Sequence, residues 1–211
     1  MATSSTSVSP EIASLSVLDS NGIAHEFSSL YISDNQNQQT LFVFIRHFFC
    51  GSCKDYVCAL CEENGITPDE LSSANKHLII IGCGQPNLIE QYKKDTNCPF
   101  EIYVDPTRQL YEALGMIRSL SLGDRKPDYI KSSMLSTIAK SLVSAFSAGS
   151  AMFQGGDVQQ IGGEYLINAS GNILWSHNMT NTRDHVEVQE LRQILSLDRK
   201  TNSNNQLFSS L

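Results

Sequence analysis

The chain has 211 residues, 41% of them apolar, and its 15 Lys and Arg against 22 Asp and Glu leave a formal charge of −7 at pH 7. An acidic balance with no concentrated basic block argues against nucleic acid as a partner, and the length suits one α/β domain of roughly 150–200 residues with loose ends. The longest uninterrupted apolar run, Leu41–Ile45, is far shorter than the roughly 20 residues of a membrane-spanning helix.

The start, Met1–Pro10, is rich in Ser and Thr and has neither a basic n-region nor an apolar h-region, so the expectation is a cytoplasmic protein with no membrane span. Residues 1–14 read as flexible. Val17–Asp19 and His25–Phe27 flank Asn21-Gly22, a pair that tolerates positive φ, and predict an N-terminal hairpin with a tight turn. Four compact apolar runs, Thr40–Phe44, Leu78–Ile81, Glu101–Val104 and Glu164–Ile167, predict central strands. Between the first two, Cys53–Glu63 reads as a helix. Thr67-Pro68-Asp69-Glu70 then opens a second helix, with Thr as cap and Pro in the first turn, which makes a β-α-β crossover. Short helices are expected over Asn87–Lys94 and Thr107–Leu114, the latter stopped by Gly115, and a final amphipathic helix over Val186–Leu197. An extra helical insertion is expected at 130–149, where Met134, Ile138, Leu142 and Phe146 recur at helical spacing; it reads as a docked helix, a lid, or a dimer or lipid-facing surface. Residues 198–211 include Thr201-Asn202-Ser203-Asn204-Asn205 and read as a flexible tail.

The six cysteines are too few for a disulfide scaffold and read as thiols, ligands or catalysts. Cys50-Gly51-Ser52-Cys53 follows the first strand and opens a helix, so Cys50 is expected at the helix N-terminus. Unpaired amides and the helix dipole favour a thiolate there, which makes Cys50 the candidate nucleophile. Cys53, one turn on, is the candidate resolving thiol. Cys58 and Cys61 extend the string to Cys-x2-Cys-x4-Cys-x2-Cys, which invites a zinc reading. If residues 53–63 are helical, however, Cys53 and Cys61 lie about 12 Å apart along the axis, too far to share one tetrahedral ion, and no metal or cofactor is expected. Cys58 and Cys61 then read as helix-face or core residues. Cys83, at the carboxyl edge of the second strand, is open to a redox or a packing role, and Cys98, before Pro99, reads as structural.

Arg46 and His47 stand just before Cys50. A cation there would depress the thiol pKa, and Arg46 could orient a peroxide oxygen or a carboxylate; period-two alternation could instead turn one of the two away from the cleft. His47 is a weaker candidate for a general base. Gly155-Gly156 and Gly162-Gly163 lack the strand-to-helix setting of a phosphate-binding loop and read as turns.

Taken together, these residues resemble a known family. The segment Arg46-His47-Phe48-Phe49-Cys50-Gly51-Ser52-Cys53-Lys54-Asp55-Tyr56-Val57 is similar to the active-site segment of the AhpC/TSA-domain, peroxiredoxin-like proteins, especially their antioxidant-enzyme-domain branch. So, in order and spacing, are Glu101–Pro106, Leu114-Gly115-Met116, Phe153–Gly163 and Arg183-Asp184-His185. The resemblance implies a thioredoxin-like domain over 15–197, with a central mixed sheet flanked by helices, Cys50 as redox-active thiol and Cys53 as its partner. It further implies a thiol-dependent oxidoreductase acting on a peroxide or organic (endo)peroxide, reset by a thioredoxin- or glutathione-type reductant. A biosynthetic enzyme acting on an organic substrate in the same cleft, a non-catalytic thioredoxin-fold binding module and a homodimer stand beside it. Conventional peroxiredoxins carry Pro-x-x-x-Thr-x-x-Cys; Val43 and His47 occupy the Pro and Thr positions here.

Overall fold

A computed structural model describes residues 6–130 and 154–197. In chain order these form β1 (Thr6–Ser7), α1 (Pro10–Ala13), β2 (Ser16–Leu18), β3 (Ala24–Glu26), a 3-10 turn (Phe27–Leu30), β4 (Gln39–Phe44), α2 (Gly51–Cys61), α3 (Pro68–Ser73), β5 (Lys76–Gly82), a second 3-10 turn (Pro86–Leu88), α4 (Ile89–Thr96), β6 (Glu101–Val104), α5 (Gln109–Ala113), β7 (Gly163–Asn168), β8 (Asn172–Asn178) and α6 (Val188–Ile194). The helical insertion expected at 130–149 and the tail at 198–211 lie outside the described residues, apart from Ile130.

Among the described residues the eight strands make one mixed sheet in the order β1-β8-β7-β4-β5-β6-β2-β3. Its centre, β4, runs parallel to β5 and antiparallel to β7. A strand covered on both faces has no wet side, which is why β4 reads as a continuous apolar run rather than an alternation. Leu41, Val43 and Ile45 turn toward the layer holding α2, α4 and α6, together with Leu78 and Ile80 of β5. Phe42 and Phe44 face the other way, with Ile79, Ile81, Phe27, Tyr31 and Tyr111. The crossovers β4-α2-α3-β5 and β5-α4-β6 satisfy the parallel pairings and bring α2 across the first face.

The helix starts follow the sequence signals. Thr67 accepts from the Glu70 amide at 3.2 Å, and Glu70 Oε2 accepts from the Thr67 amide at 3.1 Å, a reciprocal capping box with Pro68 in the first turn. In α2 the buried residues Ser52, Cys53, Tyr56, Val57 and Leu60 recur every three or four positions and fix the helix on the sheet.

Several expectations are corrected. Residues 6–13 are not loose: Thr6 pairs with Ile173, extending the sheet edge, and α1 is capped by Ser9 with Pro10 in its first turn. The hairpin is real, but Leu18 pairs with Ala24 across a longer loop. There Gly22 alone of the Asn-Gly pair adopts positive φ (+78°), and the Asp19 carboxylate, accepting from the amides of Asn21 and Ile23 at 2.9 Å each, holds the turn. β8 adds a strand to those read from sequence; its half-buried Ile173, Trp175 and His177 alternate with exposed Leu174, Ser176 and Asn178. Gly162-Gly163 is not a turn but the entry to β7: a Cβ on Gly162 would sit 1.7 Å from the Phe44 carbonyl oxygen, so only glycine lets these backbones meet.

Candidate functional site

The carboxyl ends of β4 and β5 open onto one face, where Tyr111 Oη lies 2.7 and 2.8 Å from the carbonyl oxygens of Ile45 and Ile81 and ties the two strand ends together. From β4 the chain turns through Arg46–Phe49 into α2, and Cys50 is the N-cap of that helix. Its Sγ accepts from the Cys53 amide at 3.4 Å, so a sulfur fills the place of the usual oxygen acceptor at a helix N-terminus.

Two further side chains converge on this sulfur. Arg46 Nη1 donates to it at 3.1 Å, and Ser52 Oγ lies 3.1 Å away while also donating to the Thr182 carbonyl at 3.1 Å. The guanidinium is itself held: Nη2 donates to the Val158 carbonyl at 2.7 Å and Nε to the Gln160 carbonyl at 3.3 Å. The 154–160 segment that supplies these carbonyls is fastened by Asp157, which pairs with Arg108 at 2.9 Å and Arg118 at 2.8 Å, and by the Phe48 amide donating to the Gly155 carbonyl at 3.0 Å. A hydrogen bond from the Cys53 thiol, then the cationic field of Arg46, with smaller contributions from His47 and Ser52, outweigh burial and hold the Cys50 thiol well below its usual range. Cys53 moves the opposite way: burial, then its hydrogen bond to Cys50 and the charge there, push its pKa well up. Cys50 therefore carries the negative charge and Cys53 the proton.

Arg46 thus points at Cys50, and its backbone amide also donates to Cys53 Sγ at 3.4 Å. His47 is buried beside Cys50, and burial drives its imidazole toward the neutral form against the pull of the thiolate. In place of the Thr of the conventional peroxiredoxin pattern, the hydroxyl on Cys50 comes from Ser52, inside the helix. Cys83 is drawn into the framework rather than the cleft: its thiol donates to the Arg46 carbonyl at 2.8 Å, and burial pushes its pKa up to about 12. Because α2 runs through both Cys-x-x-Cys pairs, Cys58 and Cys61 sit toward its far end, where Cys61 is hydrogen-bonded with Cys98. The four sulfurs of the string cannot meet at one ion.

Two residues behind the pair carry a contact that the sequence reading did not single out. His185 Nε2 lies 3.6 Å from Cys53 Sγ, and His185 Nδ1 lies 2.6 Å from Glu164 Oε1. The side chains of His185 and Glu164 are 1% and 0% exposed. Tyr56 stacks on the imidazole with centroids 4.2 Å apart and planes 5° from parallel, and the His185 amide donates to Tyr129 Oη at 3.1 Å. The signal for Glu164 was a carboxylate inside the otherwise apolar strand Gly163–Ile167; nothing local marked His185 as its partner.

A family model described as AhpC/TSA antioxidant enzyme matches residues 67–181, a span that begins after Cys50 and Cys53. The chain is 35% identical over 187 residues to peroxiredoxin-like 2C of Homo sapiens, covering 88% of this chain and 79% of that protein, and 30% identical over 188 residues to its namesake in Takifugu rubripes, covering 87% and 79%. Among solved structures, the fold is similar to the bacterioferritin comigratory protein of Xanthomonas campestris (TM-score 0.53, 13% identity, 91% and 95% of the two chains) and to the peroxidoxin BcpB of Mycobacterium tuberculosis (TM-score 0.56, 10% identity, 92% and 94%). These neighbours share the thioredoxin-like arrangement of a mixed sheet flanked by helices. With its 35%-identical relative covered over most of its length and the family model matching from Thr67 onward, the chain belongs to the AhpC/TSA peroxiredoxin-like family.

Proposed function

We propose that the protein is a thiol-dependent peroxidase in which Cys50 attacks the O–O bond of a small hydroperoxide or organic (endo)peroxide. The observation that carries this reading is the placement of Cys50 Sγ at the α2 N-terminus with Arg46 Nη1 at 3.1 Å. With a hydroperoxide the thiolate attacks the distal oxygen: the S–O bond forms, the O–O bond breaks, and Cys50 sulfenic acid is left beside an alkoxide or hydroxide that takes up one proton; an endoperoxide opens instead to a sulfenate ester, from which Cys53 expels an alcohol rather than water. Arg46 is placed to hydrogen-bond the attacked oxygen as charge develops on the leaving one. Cys53 then attacks the sulfenic sulfur; the S–S bond forms, the S–O bond breaks, and one water leaves. Two electrons from a thioredoxin- or glutathione-type dithiol or thiol pair restore both thiols. Cys50 keeps only 4% of its surface exposed, which favours a small oxidant over the disulfide of a folded protein.

The test is peroxide consumption by the full-length chain with hydrogen peroxide and cumene hydroperoxide in the presence of dithiothreitol. Cys50→Ser should abolish turnover, and Cys53→Ser, oxidised with one equivalent of peroxide in the absence of dithiothreitol, should stop at a sulfenate that dimedone traps. Unchanged turnover in Cys50→Ser overturns the reading.

A further inference from the structure

Behind Cys53 lie two side chains with no part in the proposed cycle, His185 and Glu164, joined to it in a row at 3.6 and 2.6 Å and almost wholly removed from solvent. A carboxylate at 2.6 Å fixes the imidazole tautomer. With Nδ1–H donating to Glu164, Nε2 presents its lone pair to the Cys53 thiol. Tyr56, stacked on the ring, and Tyr129, on its backbone amide, fix the plane in which that lone pair points. Burying a carboxylate is costly unless its partner compensates, and no packing need in β7 calls for one, since its neighbours Tyr165, Leu166 and Ile167 are apolar or aromatic.

We infer that Glu164 and His185 form the proton acceptor for Cys53, His185 taking the thiol proton through Nε2 as Cys53 attacks oxidised Cys50, and Glu164 stabilising the imidazolium that results. This rests on the peroxidase reading for its physiological oxidant, but the chemistry belongs to any leaving group on Cys50. In the reduced protein the Cys53 thiol hydrogen serves the Cys50 thiolate. Once Cys50 is a sulfenic acid, that charge is gone and the hydrogen is released to His185, on the other side of the same sulfur. The Cys53 thiolate then attacks, the S–S bond forms, hydroxide departs from Cys50, and it takes up the proton held by His185 to leave as water. The net change is one disulfide and one water, with the Glu164–His185 pair returned to its starting state.

The test uses full-length protein, Glu164→Gln, which keeps the shape, and His185→Gln. In the first arm each is oxidised with one equivalent of hydrogen peroxide, and the sulfenate and disulfide are followed by dimedone trapping and intact mass across pH. Sulfenate formation should proceed at the wild-type rate. Its conversion to disulfide should slow by about 100-fold or more in His185→Gln, as for the loss of a general base, and by a smaller factor in Glu164→Gln. The conversion rate should rise about tenfold per pH unit in His185→Gln, because hydroxide must now remove the proton, and far less steeply in the wild type. The other titratable groups around the row are Arg46 and His47 in the turn before α2, Cys50 and Tyr56 at α2, Tyr92 of α4, Tyr111 of α5, and Tyr129 and Glu187 from the flanking loops. All are retained in both variants. In the second arm, Cys50 is first converted to a mixed disulfide with thionitrobenzoate, and release of that chromophore reports attack by Cys53 without any peroxide. If the wild type forms no sulfenate yet chromophore release slows in both variants, the peroxidase reading falls and the proton acceptor stands. If release and conversion keep the wild-type rate and pH profile in both variants, the inference is overturned. A variant that only disturbs packing would lower the amplitude or slow both steps without steepening the pH profile.

Discussion

Arg46 donates from its guanidinium to Cys50 Sγ across 3.1 Å, and the same guanidinium is tethered to the carbonyls of Val158 and Gln160. The cation is therefore aimed, not merely nearby. In Arg46→Met the midpoint of iodoacetamide labelling of Cys50 with pH should rise by about one unit, which is about tenfold less thiolate at pH 6. Arg46→Lys should fall between, because a lysine keeps the charge but cannot hold both carbonyls and the sulfur with one planar fork. Mass-spectrometric labelling rates from pH 5 to 9 check this, and a wild-type midpoint no lower than that of a free thiol, about 8.5, contradicts the electrostatic account.

Cys83 should behave as a strut. With its pKa pushed up to about 12 by burial and its thiol donating to the Arg46 carbonyl, it should stay unlabelled in the native protein at pH 8 while Cys50 reacts. Cys83→Ser keeps a donor and should retain most peroxide turnover. Cys83→Ala should lose about 1 kcal/mol of stability, the usual scale for one such bond, with turnover falling a few-fold as Arg46 loosens. Peptide mapping and urea denaturation read both.

Gly156 offers a sharper stability test. It sits at φ +102°, and a Cβ there would lie 2.6 Å from Cys83 Sγ and 2.9 Å from the Cys83 carbonyl. Gly156→Ala should cost about 1–3 kcal/mol from backbone strain, with the clash in addition, and should raise the Cys50 labelling midpoint because the same segment carries the carbonyls that aim Arg46. Gly22→Ala is the control: φ is +78° but nothing lies within 4 Å, so only a loss of about 1 kcal/mol, with no change at Cys50, is expected.

The docking of α6 should depend on acid. Arg192, buried on α6, pairs with Glu70 at 2.8 Å and also donates to the Gly65 and Leu197 carbonyls. Its hydrogen bonds hold the Glu70 carboxyl down at about 2 from an ordinary 4.5. Because the folded value lies below the unfolded one, the stabilisation is complete above about pH 4.5 and fades as pH falls toward 2. Glu70 is 37% exposed, so solvent screening keeps this near 1 kcal/mol or less. Glu70→Gln should flatten the difference in urea stability between pH 3 and pH 6, whereas Arg192→Ala should cost about 2–4 kcal/mol at both, since it strips two carbonyls of a donor.

What could be read from the sequence was what depends on local pattern. β6 lies where the apolar run Glu101–Val104 placed it, β4 extends its run by one residue and β5 by three, and the Thr67–Glu70 signature marks the start of α3. Cys50 at the head of a helix followed from a strand ending just before a Cys-x-x-Cys. Beyond the reach of pattern were the features made by distant segments meeting. The β1–β8 pairing joins residues 6–7 to 172–173, and a two-residue strand leaves no periodicity to detect. His185 meets Glu164 only because β7 lies beside β4 and the 180–187 loop folds back over α2. Asp157 acts through Arg108 and Arg118, neither of which has a local reason to be its partner. The Asn21-Gly22 pair does not by itself set the turn, because Asp19, two residues before Asn21, competes for the turn amides.

The grip on the Cys50 anion also sets the balance between the two oxidation states of the pair. An S–S sulfur carries no net charge for Arg46 to attract, and it is a poorer acceptor for the Cys53 amide, so this stabilisation counts only for the dithiol. Each 1.4 kcal/mol withdrawn from the disulfide raises the reduction potential of the couple by about 30 mV. In the proposed cycle, the contacts that ready the sulfur for attack would thus also make a Cys50–Cys53 disulfide an easy electron acceptor for a small thiol.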